Sequence, residues 1–254
     1  MEPGLNLVKS PNPDLTLPFQ NLLGSLLWIV RCTRPDLYFA VAYTSQFNTA
    51  YSKHHYDILL RILVFMHSTV DKKLVLHSNI RFPSHSDPTL GILPIQVYTD
   101  SDWASCKQNR KSVSGSVVMM CGSPVCWHSK RQNTVALSSC EAEYMAITDA
   151  TKEALYVYNL MSEFHQVATP ILLHCDNQGA AYLSTNTVNN QRSKHIDIRY
   201  HFIRDWIAKG IVSINYVNTS DNVADIFTKA LPKEMHCKHS ETLLGQWRPA
   251  KTRK

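Results

Sequence analysis

The sequence predicts an α/β protein: a mixed sheet flanked by helices, with a small helical region ahead of it. Three observations carry that class. Residues 19–70 repeat apolar side chains at three- and four-residue steps, the period of a helix. Beyond residue 94, three segments rich in β-branched residues follow one another, as strands do. Strand and helix then alternate, which lays helices against a sheet that is partly parallel.

The elements follow in order. Residues 1–18 contain Pro3, Pro11, Pro13 and Pro18 and read as an extended leader. Within 19–76, Leu22, Leu23, Leu26, Leu27 and Val30 mark one helix, interrupted near Pro35, and Leu59, Leu60, Leu63, Val64 and Met66 mark another. Residues 77–94, rich in Ser, Pro and Asp, read as a linker between domains. The domain 95–235 opens with strands at Ile95–Thr99, Val113–Met120 and Val125–His128. Ser139–Phe164 lacks Gly and Pro and reads as one long helix. Ile171–His174 is a buried strand running into a helix at Asn177, and His195–Lys209 is a helix stopped by Gly210. The strand Ile211–Val217 and a last helix from about Asp221 complete the domain, and 236–254 read as a basic polar tail.

Composition narrows the class of function. With 44% hydrophobic and 18% charged residues, the chain is too apolar for disorder, and it lacks an apolar run long enough to span a bilayer. The first residues lack the basic start and apolar centre of a signal peptide. Seven cysteines at irregular spacing, without a CxxC pair, form neither a disulfide framework nor a zinc knuckle, so reduced thiols in an intracellular protein are expected, in cytoplasm or nucleus. The net charge of +6 divides unevenly: +2 over residues 1–94, zero over 95–235 and +4 over 236–254. The middle segment holds half the cations and is still neutral, so something in it needs carboxylates.

Four carboxylates stand where a carboxylate is awkward. Asp100 closes the first strand, and Asp176 closes the fourth at its carboxyl end, where open α/β sheets place ligands; for Asp176, helix N-capping is an equal reading. Glu143 shares a helix face with Ala146, Ile147, Ala150 and Ala154, so it points at the core, whereas Glu141 shares a face with Asp149 and Lys152 and is expected in solvent. Asp225 falls in the first turn of the last helix, beside Ala224 and Ile226. Four clustered carboxylates repel one another unless cations sit among them. Mg²⁺ suits such a set, and two ions could activate water and stabilise the leaving oxygen in phosphodiester cleavage.

The segments YTDSDWA, NRKSVSG, SSCEAEYMA, CDNQGA, KHIDIRYHFIRD and VADIFTKAL, in that order, resemble the ribonuclease H domain of copia-type LTR-retrotransposon Pol polyproteins. The resemblance covers about residues 95–232 and implies the ribonuclease H fold, a five-stranded mixed sheet with helices. It carries four catalytic, metal-binding positions onto Asp100, Glu143, Asp176 and Asp225, with two Mg²⁺ ions for which Mn²⁺ can substitute. LLGSLLWIVRCTRPDLYFAVAYTSQF and RILVFMHSTVDKKL resemble the thumb and connection helices of the same polyprotein. The polymerase signature YxDD is absent from the chain, which makes the reverse transcriptase palm and fingers expected partners rather than parts. Val64 and His67 stand where the family is usually basic, and the loop 218–221 lacks the His that many ribonucleases H place there.

The implied substrate is an RNA/DNA hybrid, recognised through 2′-hydroxyls and backbone rather than bases. Candidate contacts are Trp103, Arg110, Lys111, Lys130, Arg131, Ser139, Asn177, Gln178, Arg192, Lys194, His195 and Arg199. An integrase of the same fold is disfavoured, because Glu143 precedes the second Asp instead of following it. A non-catalytic tether domain would have lost acidic ligands, and a host-captured remnant stays open.

Overall fold

The computed structural model describes residues 1–77, 92–106, 108–185 and 194–245, the side chains of 183–185, 194–198 and 200 apart. These residues form two compact units, one joining 1–75 to the chain from residue 229 onward, the other comprising 76–228.

The first unit is helical. α1 (Phe19–Cys32) buries Phe19, Leu23, Leu26 and Val30, a stripe at helical spacing. A short turn at Pro35–Leu37 leads into α2 (Tyr38–Ser45), and α3 (Lys53–Ser68) follows a cap in which Ser52 and His55 satisfy each other's backbone. On α3 the buried residues are His55, Leu59 and Ile62, while Leu63, Val64 and Phe65 are exposed, so the apolar run there overstates the buried face. Residues 1–18 contain turns at Pro3–Gly4 and Leu15–Thr16 and are tied down: Ser10 N–H donates to the Ala50 carbonyl and Leu7 N–H to the Tyr43 hydroxyl.

In the second unit the sheet consists of β1 (Ile95–Asp102), β2 (Val113–Met120), β3 (Ser123–Arg131), β4 (Ile171–Cys175) and β5 (Val212–Tyr216) in the order β3-β2-β1-β4-β5. β1 pairs antiparallel with β2 and parallel with β4, so the sheet is mixed, and α4 (Ser139–Ser162), α5 (Gln178–Thr185) and α6 (Lys194–Ala208) complete the ribonuclease H-like arrangement. Tyr144, Ile147, Ala150 and Ala154 of α4 pack with Ile95, Val97, Val118, Ile171 and Leu173 of the sheet. The alanines let helix and sheet approach closely. Gly210, at φ +69°, takes the left-handed conformation that ends α6 and donates its N–H to the Ile207 carbonyl.

Two features differ from the sequence expectation. The segment from Asp221 forms short 3₁₀ turns, Thr219–Asp221 and Val223–Phe227, instead of an α-helix. Asn222 breaks the run by capping the second turn with its side chain, and Pro232 prevents a continuous helix beyond it. The stretch 236–254 was expected as a solvated tail; its described part lies in α7 (Lys233–Leu243), where His239, Ser240 and Leu243 are buried in the helical unit. The basic residues beyond 245, and the linker residues 78–91, lie outside the described residues.

Candidate active site

The central strands and their neighbours deliver the four carboxylates. Asp100 lies in the paired part of β1, opposite Gly115 of β2, and is 3% exposed. Asp176 follows β4 directly and is half-buried. Asp225 comes from the 3₁₀ turn Val223–Phe227 and is buried. Carboxylate oxygens of these three residues lie within 4.8 Å of one another. Glu143, 5% exposed on the sheet side of α4, feels the charges of Asp100 and Asp176.

Neutral donors hold Asp100, Asp176 and Glu143. The Thr228 hydroxyl donates to Asp100 Oδ2, and the Thr219 hydroxyl donates to Asp176 Oδ2 at 2.8 Å. Ser101 N–H donates to Glu143 Oε1 at 3.0 Å, while Glu143 Oε2 is buried without a hydrogen-bond partner among the described residues. Burial, then the charges of Asp100 and Asp176, push the Glu143 carboxyl up to about 9, against the opposing effect of the Ser101 N–H.

The turn bearing Asp225 is fixed to the sheet by residues that sequence reasoning missed. Asn222 Nδ2 donates to the Thr99 carbonyl at 2.9 Å, and its Oδ1 accepts from Ala224 N–H. Gly115 gives the turn room. A Cβ there would lie 2.7 Å from Phe227 Cβ and 2.7 Å from Thr228 Cγ2, closer than such atoms approach. An Asn two positions before a buried Ala-Asp pair was the available local signal for the cap. Gly115 sits within the NRKSVSG segment, but nothing local distinguishes it from any strand glycine.

The donor set fits hard divalent cations. All the donors are carboxylate oxygens, and among the described residues no lysine or arginine is hydrogen-bonded to Glu143, whose orphaned oxygen is buried beside the cluster. Asp100, Asp176, Asp225 and Glu143 would hold them.

Those of the remaining expected contact residues that are described come from several elements of the second unit. Trp103 is exposed on its ring, but its Nε1–H donates to the Ala136 carbonyl, tying the end of β1 to the loop before α4. Arg110 is exposed at φ +55° and Lys111 is partly buried, in a turn where Asn109 Oδ1 accepts from Lys111 N–H. Lys130 and Arg131 are exposed at the end of β3, and Ser139 is exposed at the start of α4. Asn177 Oδ1 accepts from Ala180 N–H and caps α5, with Gln178 exposed beside it. Arg199 is partly buried on α6, its Nη1 buried without a hydrogen-bond partner among the described residues. Lys194 and His195 begin α6, with side chains outside the described set, and Arg192 lies wholly outside it. Glu141 was expected in solvent. It is partly buried, because Oε2 accepts from Leu137 N–H at 2.8 Å and its own N–H donates to Ser138, which makes it part of the helix cap.

Sheet order and acidic centre together define a ribonuclease H-like domain. No family model matches the chain. It is 35% identical over 217 residues to the retrovirus-related Pol polyprotein from transposon TNT 1-94 of Nicotiana tabacum, covering 85% of this chain and 15% of the polyprotein. To that from transposon RE2 of Arabidopsis thaliana it is 34% identical over 222 residues, 87% of this chain and 14% of the polyprotein. The chain belongs to the copia-type retrovirus-related Pol polyproteins and spans about 15% of the length of these relatives. Secreted RxLR effector protein 161 of Plasmopara viticola is 36% identical over 141 residues, 56% of this chain and 92% of that protein. Among solved structures, RNase H1 from the halophilic archaeon Halobacterium salinarum aligns with 53% of this chain and 94% of its own at 19% identity, with a TM-score of 0.38.

Proposed function

We propose that this domain is a metal-dependent endonuclease that cuts the RNA strand of an RNA/DNA hybrid, as the ribonuclease H portion of a Pol polyprotein. The observation that carries the reading is the convergence of Asp100, Asp176 and Asp225 within 4.8 Å, with the buried Glu143 beside them. Two Mg²⁺ ions, or Mn²⁺ in their place, would supply Lewis-acid stabilisation of the charge that builds on the attacking and leaving oxygens. The chain's own part is positional. Thr228 and Thr219 orient Asp100 and Asp176, Ser101 N–H holds Oε1 of Glu143 and leaves Oε2 for the cluster, and Asn222 fixes the turn that carries Asp225. Bound cations would offset the burial, and then the repulsion from Asp100 and Asp176, that otherwise keep a proton on Glu143.

The hybrid's backbone contacts are assigned to the residues expected from the sequence: Trp103, Arg110, Lys111, Lys130, Ser139, Asn177, Gln178, Lys194, His195 and Arg199. The palm and fingers of the reverse transcriptase are the proposed covalent partners, in cytoplasm or nucleus. No helix among the described residues is long and apolar enough to cross a membrane. The test is cleavage of a labelled hybrid by the whole chain with Mg²⁺ or Mn²⁺ and with chelator. Cleavage that chelator abolishes is expected, and an inactive wild type with either ion overturns the reading.

A second reading, a ribonuclease H-like fragment used without catalysis, is favoured by one observation. The relative from Plasmopara viticola is a short protein of which this chain covers 92%. The clustering of Asp100, Asp176 and Asp225, with Glu143 buried within reach of two of their charges, weighs against it, since a binding module has no need of such repulsion.

A further inference from the structure

We propose that Cys126, His128 and Glu153 form a second metal site, for a borderline-soft divalent cation of the zinc class. Cys126 and His128 are two apart on β3 and therefore project from the same face. Glu153 reaches them from α4. Cys126 Sγ lies 3.4 Å from Glu153 Oε2, His128 Nε2 lies 3.2 Å from Glu153 Oε1, and sulfur and nitrogen are 3.8 Å apart. A tetrahedral zinc with bonds of about 2.3 Å to sulfur and about 2.0–2.1 Å to nitrogen and oxygen requires edges of about 3.3 Å for N···O and about 3.5 Å for the two edges from sulfur. Each observed edge is within about 0.3 Å of these values. The two contacts to Glu153 use its two oxygens, so a carboxylate rotation, or chelation through both, seats the ion.

The alternative use of a Cys, a His and a carboxylate is a nucleophile relay. That needs the thiol on one imidazole nitrogen and the carboxylate on the other. Here Nε2 faces both, so the three groups converge on a point, as ligands do. A sulfur–nitrogen–oxygen set selects zinc-like ions over Mg²⁺, which separates this site chemically from the all-oxygen cluster. It is also separate in space: Glu153 is ten residues along α4 from Glu143, about 15 Å at the helical rise. A register shift between Val118 and Met119 leaves Val125 as the extra residue on β3, immediately before Cys126. Side-chain exposures of 46% for His128 and 36% for Glu153 leave the fourth coordination position open to water. On binding, the thiol proton passes to solvent, and the ion ties the edge strand β3 to α4.

Titration of the whole chain with Co²⁺ tests this. One equivalent should give a thiolate-to-cobalt charge-transfer band with tetrahedral ligand-field bands, and Zn²⁺ should displace both. Asp100→Asn should keep the band, because an oxygen-only cluster yields none. Cys126→Ser should lose it, and Glu153→Gln should weaken binding by at least tenfold. Absence of the band in the wild type, or its persistence in Cys126→Ser, overturns the proposal. If Cys126→Ser does not fold, Glu153→Gln decides, and unchanged affinity there refutes the site.

Discussion

Glu143 concentrates the electrostatics of the centre in one side chain. Its carboxyl is raised to about 9 in the metal-free protein, first by burial and then by Asp100 and Asp176, so the folded state holds a proton that the unfolded chain releases near 4.5. Between those values the folded state binds more protons, and stability must fall as pH rises. The contribution is complete below about pH 4.5 and is lost as pH passes about 9. Urea midpoints of the chelated protein from pH 5 to pH 9 should therefore decline, and Glu143→Gln should flatten that decline; an equal slope in the variant would contradict the assignment. Asp100→Asn removes one of the charges acting on Glu143. It should reduce hybrid cleavage by about 10³-fold or more, the scale of losing a preorganised charge-stabilising group. The same variant should raise the metal-free thermal midpoint, with circular dichroism unchanged.

At the scale of elements, the 3₁₀ turn Val223–Phe227 is the part on which the site depends most. It is short, so its geometry comes from what it touches: Asn222 at its start, Thr228 at its end and the bare backbone of Gly115 beneath. Gly115→Ala inserts a methyl into a filled space and should cost about 1–3 kcal/mol, as overpacking does. Cleavage should fall further than that loss explains, because Asp225 moves with the turn; parallel denaturation and rate measurements under fully folded conditions separate the two effects. Glu141 gives the contrasting case on α4. Gln can keep the reciprocal cap, so Glu141→Gln should leave cleavage within about twofold, whereas Glu141→Ala should lose about 0.5–1 kcal/mol of stability. A Glu141→Gln variant that is inactive while Glu143→Gln still cuts would reverse the roles given to the two residues.

Across the whole molecule, the chain returns after the second unit to finish the first. Arg34 donates from Nε and Nη2 to both oxygens of Asp36 at 2.9 Å, deep in the helical unit. Asp36 also accepts from the Ser240 hydroxyl, and its carbonyl lies 3.1 Å from His236 Nε2. The buried pair is thus the fastening for α7, and Asp36→Ala, which leaves the Arg34 charge only the neutral acceptors of Thr69, should destabilise this unit by about 3–5 kcal/mol in chemical denaturation. A loss below about 1 kcal/mol would place the fastening in the apolar packing of Leu243 instead. Because residues up to 245 belong to folded structure, the basic extension to delete in a binding experiment is 246–254, with Arg248, Lys251, Arg253 and Lys254. Its removal should lower the slope of log affinity for a hybrid against log salt, by up to about 0.9 for each phosphate that these cations neutralise. An unchanged slope would mean that they do not touch the hybrid.

The residue sequence by itself determined the kind and order of most elements, the 3₁₀ turns after Asn218 and the helix α7 apart, because helix and strand periods are local properties. Apolar spacing located α1 and the long α4, β-branched runs located the strands, and Gly210 marked where α6 stops. The same periodicity turned Glu143 inward and distinguished it from Glu141. Tertiary structure decided what depends on residues far apart in the chain. Thr228 holds Asp100 from 128 positions away, Asn222 reaches the Thr99 carbonyl across 123, and Ser240 meets Asp36 across 204. Asp221–Phe227 has a sequence compatible with a helix, and only the cap at Asn222 and the proximity of Gly115 make it a tight turn. Cys126 and His128 look like ordinary strand residues until α4 brings Glu153 within 3.4 Å. Local pattern fixes which way a side chain faces, but which partner it meets is set by how the sheet and helices pack.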